Sequence, residues 1–208
     1  RIDFINNTFS NFVVVTENIN GIGLEINHEN NDKEIYISFS DCYFIDYSNQ
    51  QKSEIGGALC CASNQNKGNI YLTLEECNFE GNSNSMNGGA IYINKKHDIT
   101  ITKCTFIGNN AAKGGSIYIQ PDFNGFSEQS NINILECTFQ TNGAADLTSI
   151  YIAEGSTKTL NVDSCTFTND IGSVFIDNYN NKVKINNDNF VNTKDRSALI
   201  ISQTKDLN

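Results

Sequence analysis

The sequence predicts an all-β fold, a right-handed parallel β-helix of about seven turns with three short strands in each turn. Three observations carry this. The chain repeats itself, each repeat holds short runs that alternate apolar and polar residues, and equivalent positions of successive repeats hold the same residue types. A single repeat cannot bury its own apolar face, whereas stacked repeats build a continuous interior.

The repeats align on a Cys-x-Phe triplet. Its phenylalanine recurs as Phe9, Phe44, Phe79, Phe106, Phe139, Phe167 and Phe190, at spacings of 35, 35, 27, 33, 28 and 23 residues. Two residues earlier stand Cys42, Cys77, Cys104, Cys137 and Cys165, replaced by Asn7 and Asp188 in the end copies. Three and five residues before that slot every copy is apolar, from Ile2/Phe4 and Ile37/Phe39 through Ile99/Ile101 to Val183/Ile185. This period of two is that of a strand with one buried face. Ile99 and Ile101 are odd-numbered, yet Cys104 and Phe106 are even. Residues 102 and 103 therefore turn a corner and reset which parity points inward, as a chain winding around a core requires.

A third run follows in each copy, written "GGAIYI" at 88–93 and "GGSIYI" at 114–119, with looser versions at 21–26, 56–61, 147–152, 171–176 and 196–201. Inserts between the runs vary in length, most of all between the phenylalanine and the third run, and "QPDFNGFSEQS" at 120–130 is a long outlier after that run, as corner loops can be while the strands stay in register. Asn is about one residue in six and proline occurs once, as Pro121. Asn tolerates left-handed turns, and the scarcity of proline suits long ladders. Asn82, Asn109 and Asn142 lie three residues after the phenylalanine, and Asn11, Asn169 and Asn192 two after it. Stacked at a turn, such side chains can bond from rung to rung. Identical positions would stack about 4.8 Å apart, giving a rod roughly 30 Å long. Residues 1–208 read as one β-helix domain, a segment of a longer repeat protein.

"GGAI" at 88–91 and the Phe-x-x-Asn stretches "FEGN" at 79–82, "FIGN" at 106–109 and "FQTN" at 139–142 carry a resemblance. The chain resembles right-handed β-helices of the pectin-lyase-like superfamily. More narrowly, it is similar to the repeats of chlamydial polymorphic outer membrane proteins; related repeats occur in large surface proteins of some protists. The resemblance implies a secreted or surface-displayed stalk or adhesin, and it transfers no catalytic residue.

Charge narrows the classes. The net charge is −10, with only Arg1 and Arg196 as arginines and no basic patch, which argues against nucleic-acid binding. No apolar run reaches the roughly 18 residues that span a bilayer, so direct membrane insertion is not expected. His28 and His97 are unclustered and no Cys-x-x-Cys pair occurs, so neither a metal site nor a cofactor is expected.

The candidate functional side chains are columns. Cys42, Cys77, Cys104, Cys137 and Cys165 should form an inward line of thiols. Parallel side chains keep their Cβ atoms nearer 4.8 Å than the roughly 3.8 Å of a disulfide, which favours buried free thiols over paired ones without excluding pairing. Cys61 should point in with Ile93, and Cys60 out. Tyr92, Tyr118, Tyr151 and Phe175 should form an outward aromatic ladder, either a binding and assembly surface or simple cross-strand stacking. Asp41, Glu76, Lys103 and Glu136 form a further stack, expected to make surface ion pairs of little worth. Asn6-Asn7-Thr8 is a glycosylation sequon at Asn6.

Two functions of different class follow. One is a non-enzymatic structural or adhesive module at the cell surface, with other copies, neighbouring chains of an assembly, or glycans as partners. The other is a carbohydrate-active β-helix enzyme whose groove is degenerate or outside this segment.

Overall fold

A computed structural model of the chain describes residues 1–10, 13–14, 23–28, 34–49, 57–63, 70–94, 97–120, 130–144, 148–153, 157–168, 173–177, 182–191 and 198–202. All of its strands pair in parallel, and the described residues contain no helix. The fold is an all-β parallel β-helix.

The first sheet has seven strands: Ile2–Ile5, Ile35–Ser40, Ile70–Glu75, His97–Thr102, Ser130–Leu135, Thr157–Asp163 and Lys182–Asn186. The second also has seven, each of three residues centred on the aligned phenylalanine, from Thr8–Ser10 to Asn189–Val191. The last sheet again has seven, running from Leu24–His28 through Ile91–Asn94 and Ile117–Gln120 to Leu199–Ser202. Between these lies a sheet the sequence reading lacks. It has five described strands of two residues each, such as Ser83–Asn84 and Asn110–Ala111. Three strands per turn is therefore corrected to four, because a two-residue strand is too short to display alternation.

The register is the one that stacks like on like. Phe79 pairs with Phe44 and Phe106, and Ile99 with Leu72 and Ile132. Phenylalanine rings of the second sheet follow one another at 4.6–5.0 Å with interplanar angles of 3–16°. Those distances are the strand spacing of a sheet, and since carbon contact is reached near 3.5–4.0 Å the rings slip sideways into an offset stack. The interior is one continuous cluster of these phenylalanines with Ile, Leu, Val and Cys.

Two corners are built from left-handed residues. Asn6, Asp41, Glu76, Lys103, Glu136, Ser164 and Asn187 join the first sheet to the second with φ between 52° and 59°. The phase break read at residues 102 and 103 is this corner. A second corner lies two residues after Phe44, Phe79, Phe106 and Phe139, at Asp46, Gly81, Gly108 and Thr141, with φ of 52–64°. Asn11, Asn169 and Asn192 occupy the same sequence slot but lie outside the described residues. Of the acid–base stack at the first corner, Lys103 Nζ approaches Glu76 Oε1 at 3.7 Å with both side chains half exposed, a pair worth little.

Candidate functional site

The thiol line is real as geometry. Cys42, Cys77, Cys104, Cys137 and Cys165 are buried and unpaired. Their chemistry is set by the corner before them. At each corner the left-handed residue donates its N–H to the next turn, as Glu76 does to the Thr102 carbonyl at 3.0 Å. The carbonyl two residues before each cysteine keeps a lone pair facing the core, and the thiol lies against it. The Cys104 Sγ is 3.4 Å from the Thr102 oxygen and the Cys137 Sγ is 3.2 Å from that of Leu135. A cysteine thus fills core volume and supplies a weak donor where a methyl group would leave the carbonyl half satisfied. Hydrogen bonds to Cys104, and then burial, push the Cys77 and Cys137 thiols up, and the same bonds, from Cys137 and then Cys77, push the Cys104 thiol down. Burial alone pushes the Cys61 thiol up to about 12. Buried out of reach of solvent, the column serves as a packing device.

The aromatic ladder requires a correction. Register does stack Tyr92, Tyr118, Tyr151 and Phe175, with ring centroids 5.6, 5.4 and 4.7 Å apart. The rings point away from the interior that holds Ile91 and Ile93, yet they are not an exposed surface. Tyr92, Tyr118 and Tyr151 are 2–7% exposed and form a second apolar cluster with Cys60, which is fully buried. Each ring covers its neighbour's face, Lys113 Nζ sits 5.2 Å from the Tyr151 centroid, and the Tyr92 hydroxyl donates to Gln120 Oε1 at 2.7 Å. The expected outward thiol at Cys60 is corrected for the same reason, because it stacks beside Tyr92 in this second layer. Alternation shows on which side of a sheet a residue lies; whether another layer covers that side is not written in it.

The asparagines form a buried polar ladder. Asn109 Oδ1 accepts from both the N–H and the Nδ2 of Asn82, at 3.1 and 3.0 Å. Asn109 Nδ2 donates back to the Phe79 carbonyl at 2.9 Å and on to Asn142 Oδ1 at 3.1 Å. Asn142 repeats the bond to the Phe106 carbonyl, and Asn82 that to Phe44. Tyr47 stands in this column in an earlier turn, its N–H donating to Asn82 Oδ1 at 3.1 Å. Asn6, the sequon residue, is exposed at its corner, and its N–H donates to the Ser40 carbonyl.

One hollow among the described residues was not anticipated. A hollow of about 290 Å³ opens on the outer face of the first sheet, lined by Arg1, Asp3, Tyr36, Ser38, Tyr71 and Glu75 among others. Tyr36 and Tyr71 stack at 4.6 Å and 7°, and Tyr36 remains 46% exposed. Both hydroxyls donate to Glu34, at 2.6 and 3.2 Å. The bond to Glu34, followed by burial, raises the Tyr36 hydroxyl to about 12. Ser38 and then Arg1 hydrogen-bond Asp3 and hold its carboxyl below the usual range. The result is a stacked aromatic pair beside the carboxyl groups of Asp3 and Glu75. One sequence signal pointed here: Tyr36 and Tyr71 are 35 residues apart, the spacing of Phe44 and Phe79.

Among the described residues no group of three His, Cys, Asp or Glu side chains is placed to hold a metal ion, and no helix is long and apolar enough to cross a membrane. No family model, curated protein or solved structure gives a significant match to the chain.

Proposed function

We propose that the chain is a non-enzymatic structural or adhesive module, displayed outside the cell at its surface, whose partners are other copies or neighbouring chains of an assembly, and glycans. One observation carries this reading. The side chains with chemistry to offer are spent on holding turn to turn: thiols on corner carbonyls, asparagines on one another, tyrosines in a covered stack. The resemblance of "GGAI" and Phe-x-x-Asn to pectin-lyase-like β-helices and chlamydial polymorphic outer membrane protein repeats supports surface display, as does the exposed sequon at Asn6.

The adhesive surface we assign is the hollow at Tyr36 and Tyr71. A sugar ring can lie against an exposed tyrosine while its hydroxyls donate to Asp3 or Glu75. The experiment is binding of soluble polysaccharides by the chain and by Tyr71→Ala. Binding lost in the variant, with its unfolding midpoint largely kept, supports the assignment; equal binding by both overturns it.

A second reading, a carbohydrate-active enzyme, has one observation in its favour. The same hollow brings two carboxylates, Asp3 and Glu75, near a cation, Arg1. Release of reducing ends or unsaturated products from a polysaccharide, abolished by Glu75→Gln, would replace the non-enzymatic reading with this one.

A further inference from the structure

The hollow on the outer face of the first sheet has an order along its floor. Tyr36 and Tyr71 stand at one end, Ser38 and Thr73 two residues further along the same strands, and Ser40 and Glu75 two beyond those. Residues two apart on a strand share a face at about 6.6 Å, so the floor runs about 13 Å from the aromatic pair to Glu75. Ile35–Ser40 and Ile70–Glu75 each have a paired strand on both sides, so none of Tyr36, Tyr71 and Glu75 lies on a sheet edge.

The acidic groups here are not equally engaged. Asp3 accepts from the Ser38 hydroxyl and from Arg1 Nε. Glu34 accepts from both tyrosine hydroxyls, one on each oxygen, which holds the aromatic pair in place before any ligand arrives. The Glu75 side chain is exposed and makes no hydrogen bond or ion pair among the described residues. With Glu34 counted, three carboxyl groups gather against one guanidinium, in a chain of net charge −10. The hollow thus joins a ring surface, a row of hydroxyls and one carboxyl still open to a donor. A uronate would meet like charge there. A neutral sugar can stack and donate its hydroxyls. A sugar with an amine does both and adds a charge-assisted bond to Glu75, roughly twice as strong as a neutral one.

We propose that the hollow takes a chain of amino sugars with free amines, one ring seated on the tyrosine pair and an ammonium group further along held by Glu75. This inference rests on the adhesive reading of the hollow and names the class of glycan it receives. Acetylating the amines would keep the ring contact and the hydroxyl bonds and remove the ion pair. Replacing them with carboxylates would set the ligand against the charge of the site.

The test is titration calorimetry of the chain with three soluble oligomers of equal length: β-1,4-linked glucosamine, its N-acetylated form and galacturonate. Low salt and mildly acidic pH keep the amines protonated and the attraction unscreened. Glucosamine should bind about tenfold tighter than the acetylated chain, the difference between a charge-assisted and a neutral hydrogen bond, and galacturonate should not bind. Glu75→Gln should bring the first two affinities within about twofold of each other. Glu80→Gln removes the same charge from an exposed site on the second sheet and should leave the preference intact, which separates the hollow from general attraction to an acidic chain. Circular dichroism checks that each variant is folded. Equal affinity for the glucosamine and acetylated chains overturns this inference and leaves the adhesive reading standing, as does a preference lost equally in Glu80→Gln. Binding of neither overturns it together with the assignment of the hollow to sugars, so the two failures are distinguishable.

Discussion

Replacing Asn109 with alanine tests whether the buried polar ladder holds the turns together. Four side-chain bonds vanish, but they do not count equally. Asn82 Nδ2 still donates to the Phe44 carbonyl at 2.8 Å, and Asn142 Oδ1 still accepts the Asn109 backbone N–H at 3.0 Å. One group is left orphaned in a buried setting, the Asn82 backbone N–H, while the Phe79 carbonyl loses its side-chain donor and keeps its place in the ladder to the next turn. At about 1–3 kcal/mol for a buried group left without a partner, with the weakened Phe79 carbonyl in addition, the loss should be about 2–3 kcal/mol. Equilibrium unfolding in urea followed by circular dichroism measures it, with Asn110→Ala as the control. Asn110 is the exposed neighbour, and its substitution should change stability by no more than about 0.5 kcal/mol. Hydrogen exchange locates the loss, since the Asn82 amide should lose protection first. Asn109→Asp should be at least as damaging near neutral pH, because a carboxylate cannot donate to the Phe79 carbonyl or to Asn142. A cost for Asn109→Ala below about 1 kcal/mol, with Asn82 still protected, would refute the reasoning.

Three further outcomes are expected. Gly89→Ala should cost about 3 kcal/mol or more, since its Cβ would fall on the backbone oxygens of Gly115 and Asn110, 2.5 Å from the latter; Gly108→Ala, at φ +62° with nothing within 4 Å, should cost only about 1 kcal/mol. Thermal melts rank the pair, and equal losses would contradict the close packing of adjacent turns at Gly89. A thiol reagent should find none of the seven cysteines, Cys60 included, until the chain unfolds; rapid labelling of Cys60 in the native state would contradict the covered second layer. Burial first, and Asp163 after the opposing bond from Cys165, raise the Asp188 carboxyl above 3.8, so the folded chain keeps that proton where the unfolded chain has released it. Its contribution therefore favours folding below the unfolded value and is lost as pH rises through the folded one. Asp188→Asn, which keeps an oxygen for the Cys165 N–H, should raise the unfolding midpoint at pH 7 and leave it unchanged near pH 3. A lowered midpoint at pH 7 would count against the assignment.

What the sequence made legible is what repetition writes down. The columns of Phe106, Cys104 and Ile101 stand at fixed offsets in every copy, and the parity change at residues 102 and 103 marks a corner that proves to be the left-handed Lys103. The second corner was legible as a turn from the stack of Asn82, Asn109 and Asn142, but its left-handed residue is the one before the stack, Asp46, Gly81, Gly108 or Thr141, a position that three different residue types fill. The strand Ser83–Asn84 escaped notice because two residues have no period. Burial of Tyr92 and Cys60 escaped because alternation reports direction relative to a sheet and nothing about what lies beyond it. The hollow at Tyr36 and Tyr71 joins columns that are aromatic in only those two copies, so no repeat-wide pattern drew attention to it.

Sulfur anomalous scattering from a crystal of the chain tests the central claim most directly. If like residues are stacked turn upon turn, the Sγ atoms of Cys42, Cys77, Cys104, Cys137 and Cys165 must fall on one line at intervals of about 4.8 Å. Sulfurs scattered through the molecule, or joined in pairs at about 2.05 Å, would contradict it.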